Sequence, residues 1–219
     1  NAMALYMGLV EPQHEEVVLK NLIDDIRGRG NAVTAGDIGY RYVVQTLQDR
    51  GASDVLFDMN SRYDVPGYGY QIAMGETALA ESWQSRDYLS HNHCMLGHLY
   101  SWLFSGIGGI SQESGSTAYK RIVIDPQIVG DLRDARVSFR SPYGLIRSEW
   151  KDAPDEFVQT VEIPANATAR ICLPATDPAK VTESGKPVSG RKDMAVESGT
   201  DGRIELHVGS GVYRIAVEK

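Results

Sequence analysis

The stretch Ser105-Gly106-Ile107-Gly108-Gly109-Ile110 separates two parts of the sequence that have different hydrophobic patterns. Before it, apolar residues recur at intervals of three and four, which is the spacing of an amphipathic helix. From Tyr119 onward, apolar and polar residues alternate in short runs, which is typical of half-buried β-strands. Because glycine strongly disfavours helix continuation, we place a domain boundary here. Residues 1–106 are predicted to be helical and residues 107–219 to form a β domain.

The helical part begins with two clear patterns. The first stops at Gly28 and has its apolar stripe at Leu19, Leu22, Ile23 and Ile26. The second follows a capping-box-like start at Thr34 and Asp37 and ends at Gly51. Two helices joined by a short connection are therefore expected at the beginning of the chain.

Three further helices are predicted before the boundary. They run from Ser53 to Met59, from Thr77 toward Trp83, and from Asn92 onward. The last pattern is apolar almost all round, which predicts burial. Its apolar side chains are Met95, Leu96, Leu99, Trp102 and Leu103.

The second part contains seven β-type runs separated by turn residues. Short strands at this spacing favour an antiparallel sandwich over βαβ units. The predicted fold class is thus α+β and multidomain, with helices followed by an antiparallel β-sandwich. The runs are Arg121 to Asp125, Ala135 to Arg140, Gly144 to Trp150, Phe157 to Ile163, Thr168 to Leu173, Arg203 to Val208 and Val212 to Val217.

The charge balance excludes several partner classes. The chain has 22 Lys and Arg against 29 Asp and Glu, a net charge of −7, and no basic stripe. Nucleic acid and anionic membrane surfaces are therefore poor partners. No apolar run approaches the roughly 20 residues of a membrane-spanning helix. The first residues show no secretion-signal pattern, and the sequence does not decide the compartment.

Cysteine and histidine spacing gives no sign of a metal or cofactor. Cys94 and Cys172 fall in different predicted domains, so neither a disulfide nor a thiolate metal cage is supported, and both are expected to be buried. His91 and His93 are two positions apart, whereas metal-binding histidines on a helix prefer a spacing of four. We therefore predict no metal site and no cofactor.

A carboxylate near Trp83 is the first candidate for chemistry. Glu81 would lie one turn into the helix that Thr77 opens, where the backbone N–H groups favour a negative charge. Glu76 lies five positions earlier, on a different helix face. An ionised carboxylate beside an aromatic ring suits a general base of a glycosidase. The alternative is a solvated Glu that only aids helix initiation.

Aromatic and histidine residues nearby offer contacts for a sugar. Tyr68 and Tyr70 belong to the Gly-rich segment Asp64-Val-Pro-Gly-Tyr-Gly-Tyr70, whose rings could stack on a sugar or simply pack against the helices. In Ser90-His-Asn-His93, a histidine could hydrogen-bond a sugar hydroxyl. A buried histidine at a capped helix start is the alternative.

The order of these motifs resembles that of the bacterial α-L-rhamnosidase family of glycoside hydrolases. The segments that carry the resemblance are Pro66-Gly-Tyr-Gly-Tyr70, Gly75-Glu-Thr-Ala-Leu-Ala-Glu-Ser-Trp83, Ser90-His-Asn-His93 and Gly106-Ile-Gly-Gly-Ile110. The corresponding family motifs are Gly-Ala-Thr-Thr-Leu-Trp-Glu-x-Trp, which carries the general base, and Ser-Leu-Asn-His, which supplies a histidine to the sugar pocket.

The resemblance assigns roles to five residues. Glu81 matches the general base and His93 matches the pocket histidine, while Tyr68, Tyr70 and Trp83 are expected to line the sugar site. Three of the chain's departures from the family concern the sugar site. Tyr68 and Ala80 each stand where the family has tryptophan, and Glu76 stands where it has a small residue.

The resemblance also implies a larger whole. The family's catalytic domain is an (α/α)6 barrel whose general acid lies far upstream of the base, and no Asp- and Arg-rich acid motif precedes residue 64. We therefore expect residues 1–106 to be an incomplete α/α barrel, whose partner is the missing N-terminal part of the catalytic domain. This chain alone should be catalytically incomplete, and its exposed apolar helix faces should promote self-association.

The leading hypothesis is hydrolysis of terminal L-rhamnose from glycosides, with an L-rhamnoside as ligand. Two other hypotheses stay open at this point. One is a non-catalytic carbohydrate-binding or interaction module, and the other is a structural fragment without a ligand.

Overall fold

The computed structural model describes the backbone of residues 1–219 and every side chain except that of Met95. The chain divides into two compact units, Asn1–Trp102 and Leu103–Lys219. Within the described residues, the helices are too short or too polar to cross a lipid bilayer.

The first unit is built from short helices. They are α1 (Ala2–Tyr6), α2 (Glu15–Gly28), α3 (Asp37–Asp49), α4 (Ser53–Asn60), α5 (Tyr68–Ala73) and α6 (Leu99–Trp102), with 3-10 turns at Pro12–His14 and Cys94–Leu96. Helix α3 is central and packs against α1, α4 and α6. Its apolar stripe is fully or almost fully buried, at Tyr40, Val43, Val44 and Leu47. Burial of this stripe contributes to the apolar core of the unit.

Three details of the helix predictions are wrong. Helix α3 begins at Asp37 after Gly36, with no side-chain cap, so Thr34 does not start it. Asn92 opens no helix, since regular structure resumes only with the 3-10 turn at Cys94. Leu103 is 45% exposed, although Leu96, Leu99 and Trp102 are buried as predicted. The side chain of Met95 lies outside the described residues.

The helix predicted from Thr77 to Trp83 is absent. Residues 74–93 form a long connection with no helix or strand, and α5 precedes it at a position where only a loop was expected. The physical reason is that other segments of the chain provide the hydrogen-bond partners of this backbone. The N–H group of Glu81 donates to Ser90 O at 2.8 Å, and the carbonyl of Leu79 accepts from His93 N at 2.7 Å. Hydrogen bonds to distant segments therefore replace those that a helix would make.

The second unit begins with a π-helical turn at Leu103–Ile107 and continues as strands. All seven predicted strands are present, and four short ones were missed. The strands are β1 (Ile110–Gln112), β2 (Arg121–Ile124), β3 (Asp134–Ser141), β4 (Gly144–Asp152), β5 (Glu156–Ile163), β6 (Thr168–Leu173), β7 (Val181–Glu183), β8 (Lys186–Pro187), β9 (Ala195–Ser198), β10 (Ile204–Val208) and β11 (Gly211–Glu218).

These strands form two sheets, in the orders β1-β2-β6-β10-β9 and β3-β4-β5-β11-β7-β8. All pairs are antiparallel except β2 and β6, which run parallel. Alternate residues of β5 are buried, and the same alternation recurs on β10. Helices followed by antiparallel-rich sheets confirm the predicted fold class.

The glycine pair at the start of the second unit permits a close approach of backbone segments. Gly109 has a φ of +74°, and a Cβ built there would lie 2.4 Å from Pro126 N. At Gly108 a Cβ would lie 2.5 Å from a methyl carbon of Val137. Larger residues would therefore push β1 away from the segment after β2.

The two cysteines differ in environment, and the prediction that both are buried is wrong for Cys94. Cys94 is exposed and begins the 3-10 turn Cys94–Leu96. Cys172 is 2% exposed, and burial raises the pKa of its thiol to about 12. Because only the thiolate is strongly nucleophilic, Cys172 should be inert in the folded chain.

We expect Cys94 to react rapidly with a thiol reagent such as DTNB at pH 8, and Cys172 to react only after unfolding. Spectrophotometric titration should therefore show one fast thiol without denaturant and both thiols in guanidinium chloride. A Cys94→Ser variant should lose the fast phase. Two fast thiols in the native protein would contradict the burial of Cys172.

Candidate functional site

The connection between α5 and the 3-10 turn at Cys94–Leu96 carries Glu81 and His93. We call residues 79–93 the Glu81 loop. Its two ends pair through three hydrogen bonds. Glu81 N donates to Ser90 O at 2.8 Å and His93 N donates to Leu79 O at 2.7 Å, while Ser90 N donates to the Glu81 carboxylate at 3.1 Å. This pairing brings the two candidate residues of separate motifs into one structural element.

The side chain of Gln71 on α5 forms hydrogen bonds to the backbone of this loop. The side chain is 3% exposed. Its amide nitrogen donates to Ser82 O at 3.1 Å, and its amide oxygen accepts from Ala80 N at 3.4 Å. Ala80 and Ser82, the two residues that Gln71 contacts, are the sequence neighbours of Glu81. The sequence analysis missed Gln71, because nothing in its spacing indicates a contact with residues nine and eleven positions later.

An aromatic cluster of Tyr40, Tyr68 and Trp83 supports the loop. The Trp83 ring meets Tyr40 edge-on at 4.9 Å and Tyr68 at 5.1 Å between ring centroids. The indole N–H donates to Ala35 O at 2.7 Å. Edge-to-face pairs of this kind add stability beyond the area they bury. The cluster therefore anchors the first half of the loop to α3 and α5.

The same contacts limit what two predicted sugar ligands can do. Trp83 is 5% exposed, which leaves its ring little surface for stacking. The hydroxyl of Tyr68 donates to Leu96 O, and burial raises its pKa to about 12. The observed contacts of Tyr68 agree with the second possibility given above, in which its ring packs against the helices. We expect both residues to position the loop, with only the half-buried ring of Tyr68 near a ligand.

Close packing also explains the glycine between the two tyrosines. A Cβ at Gly69 would lie 2.2 Å from Arg62 O, a distance that side-chain rotation cannot relieve. Gly69 thus allows α5 to approach the chain after α4. Tyr70 follows on the same helix and is half-buried, and its hydroxyl makes no hydrogen bond to another described residue.

Glu81 and His93 are the residues that the loop leaves available. The Glu81 side chain is exposed, and one carboxylate oxygen accepts from Ser90 N. His93 is half-buried, and its ring makes no hydrogen bond to another residue whose side chain is described. Because Glu81 is not on a helix, the helix-dipole argument for its negative charge is wrong. The carboxylate instead accepts a hydrogen bond from the backbone N–H of Ser90.

Sequence reasoning also missed an ion pair at the edge of the loop. The Nδ1 atom of His91 lies 2.8 Å from both carboxylate oxygens of Glu76. This hydrogen bond raises the pKa of His91. The only available signal was that two titratable residues flanked the predicted base. No group of three or more metal-ligating side chains occurs in the part of the chain that the structure describes.

Comparison with known families identifies the class of protein. Residues 1–107 match the family model described as the bacterial alpha-L-rhamnosidase 6 hairpin glycosidase domain, and residues 109–187 match the bacterial alpha-L-rhamnosidase C-terminal domain. Both models describe parts of glycoside hydrolases. The chain belongs to the bacterial α-L-rhamnosidase family and corresponds to the C-terminal part of these enzymes.

Individual relatives agree with this result. An alpha-L-rhamnosidase of Streptomyces avermitilis is 28% identical over 98% of this chain, which covers 21% of that protein. An alpha-L-rhamnosidase of Formosa agariphila is 25% identical over 99% of this chain, which covers 23% of the relative. The chain therefore spans between a fifth and a quarter of the length of these relatives.

Solved structures show the same similarity. The Streptomyces avermitilis alpha-L-rhamnosidase in complex with L-rhamnose superimposes with a TM-score of 0.88 at 27% identity, over 99% of this chain and 21% of that one. The alpha-L-rhamnosidase of Dictyoglumus thermophilum gives a TM-score of 0.89 at 28% identity, over 100% and 25% of the two chains. These matches confirm the resemblance inferred from the motif order.

We expect Gln71→Leu to loosen the Glu81 loop. The substitution leaves Ala80 N–H without its partner and removes one of the two hydrogen bonds to Ser82 C=O, which also accepts from Ser85 N. The loss should lower the free energy of unfolding by roughly 1–3 kcal/mol. Urea denaturation measures the loss, and hydrogen exchange should be faster at Ala80. The exposed Gln84→Leu in the same loop is the matched control and should change stability by less than about 0.5 kcal/mol. Equal effects of the two substitutions would refute the role of Gln71.

Proposed function

We propose that this chain carries the general-base half of an α-L-rhamnosidase active site that hydrolyses terminal L-rhamnose from glycosides. In this proposal Glu81 activates a water molecule, and His93 and Tyr70 hold the sugar. Tyr68 contributes its ring edge, and Trp83 supports the loop from within. Residues 1–106 are proposed to form part of a larger α/α barrel, and residues 107–219 the C-terminal β-sandwich.

The pairing of the loop ends is the observation that carries this proposal. It holds Glu81 and His93 on one element, with an exposed carboxylate and an imidazole free to meet a ligand. Ser90 N occupies one carboxylate oxygen of Glu81, which leaves the other to accept a proton from water. A general base must lie within hydrogen-bond reach of the proton it removes. An exposed carboxylate oxygen meets this requirement.

The proposed reaction inverts the configuration at the anomeric carbon. Such enzymes activate water on one face of the sugar, while an acid protonates the leaving oxygen on the other. Among the described side chains near Glu81, Glu76 is the nearest carboxylate in sequence, and it is occupied by His91. The acid is therefore proposed to come from the part of the catalytic domain that the relatives have and this chain lacks.

The environment of position 80 bears on the substrate. Ala80 is 1% exposed, so a tryptophan side chain, which the family has there, would need space that the observed packing does not leave. Tyr68 likewise offers a smaller ring than tryptophan. We propose that the sugar site is lined with less aromatic surface than in the family pattern, and that polar contacts from Glu81, His93 and Tyr70 contribute more to binding.

We expect Glu81→Gln to lower kcat on an aryl α-L-rhamnoside by about 10²- to 10⁴-fold, the usual contribution of a general base. The assay uses the chain joined to the upstream region that the relatives have. The variant should stay folded, because Gln keeps an oxygen for Ser90 N–H.

Glu218→Gln, an exposed carboxylate of the β unit, is the matched control and should keep full activity. Full activity in Glu81→Gln would refute the assignment of the base. Sugar binding by this polypeptide together with no turnover in the wild-type assay would instead favour a non-catalytic carbohydrate-binding module.

A further inference from the structure

The side chains of Glu76 and His91 form a pair that connects the chain before the Glu81 loop to the second half of that loop. Glu76 lies after the end of α5, and its side chain is 11% exposed. His91 follows Ser90, whose backbone groups pair with Glu81. The ion pair therefore joins the chain before the loop to the segment that holds the carboxylate of the proposed base.

The two side chains meet closely and differ in exposure. The Nδ1 atom of His91 lies 2.8 Å from both carboxylate oxygens of Glu76. The Glu76 side chain is largely buried, whereas that of His91 is 43% exposed. Removal of the His91 ring would therefore leave a largely buried carboxylate without this partner.

We propose that Glu76 and His91 are a positioning pair that holds the Glu81 loop in place and makes the order of that loop depend on pH. The pair touches no reacting atom, and its importance for catalysis rests on the proposed function of Glu81. It acts by tethering Ser90, which donates to the Glu81 carboxylate and accepts from the Glu81 backbone.

The charges that face His91 are all acidic. Glu76 provides the largest effect through its hydrogen bond, and Asp87 adds its charge and a backbone contact. Both raise the pKa of His91 above its ordinary value of 6.5, and the loss of solvent around the ring offsets this only in part. A raised pKa in the folded state means that the ion pair stabilises the loop below the unfolded-state pKa. This stabilisation is lost as the pH rises through the raised pKa of His91.

The test is hydrogen exchange measured by NMR on the whole chain without any ligand. Protection factors, which correct for the intrinsic pH dependence of exchange, are compared at the amides of Glu81 and His93 from pH 5.5 to pH 8.5. Glu76→Gln should lower them at the acidic end by roughly two- to fivefold, the effect of a partly exposed ion pair. The same variant should move the His91 titration, followed by its ring signals, down toward the ordinary value.

Two further variants separate positioning from general stability. His91→Asn keeps a side-chain N–H near the position of Nδ1 but carries no charge and cannot titrate, so protection should stay close to the wild-type alkaline level and lose its pH dependence. Glu11→Gln removes an exposed side-chain pair, in which a carboxylate oxygen of Glu11 lies 3.7 Å from Nε2 of His14. This pair lies at the 3-10 turn Pro12–His14 that precedes α2. It is the matched control and should leave the Glu81 loop unchanged.

Wild-type protection that does not change with pH, or that Glu76→Gln leaves unaltered, would overturn the proposal. The result is independent of the activity assay. A pH-dependent loop together with a fully active Glu81→Gln enzyme would mean that the proposed base is wrong while the positioning pair stands. A pH-independent loop with an inactive Glu81→Gln enzyme would mean the reverse.

Discussion

The position of Glu81 depends on hydrogen bonds that its own loop makes to Gln71 and to Ser90. The loop has no helix or strand to hold its shape, so its backbone groups must find partners elsewhere. Gln71 supplies two of them from a buried side chain, and the opposite end of the loop supplies the others. The Tyr40, Tyr68 and Trp83 cluster then connects this arrangement to the core of α3. A candidate base is thereby fixed on a segment that is irregular but well supported.

The sequence predicted those parts of the fold that depend on local hydrophobic periodicity. The change of period at Gly106–Gly109 separates helices from strands, and seven strands fall where alternation predicted them. The four missed strands are two to four residues long. Such runs are too short to show alternation, and they become strands because a longer neighbour offers its free edge. Strand β7, for example, pairs with β11.

The sequence proposed members of the candidate site, and their roles stay a prediction, but it did not predict their geometry. The order of motifs pointed to Glu81 and His93, yet the helix assigned to residues 77–83 was wrong. The periodicity of that stretch allows a helix, and the competing partners lie far along the chain. Ser90, for instance, is nine residues from Glu81. Gln71 and the Glu76–His91 pair were missed for the same reason. Side-chain contacts across a loop leave no periodic trace in a sequence.

The proposed function requires that L-rhamnose binds beside Glu81 and His93. Titration of the isotope-labelled chain with L-rhamnose, followed by amide and imidazole NMR shifts, tests this binding most directly. We expect saturable shifts at Glu81, Ser90 and the His93 ring, with smaller ones at Tyr70. We also expect L-glucose at the same concentration to leave these signals in place. Shifts confined to the β unit, or equal shifts with both sugars, would contradict binding at this site.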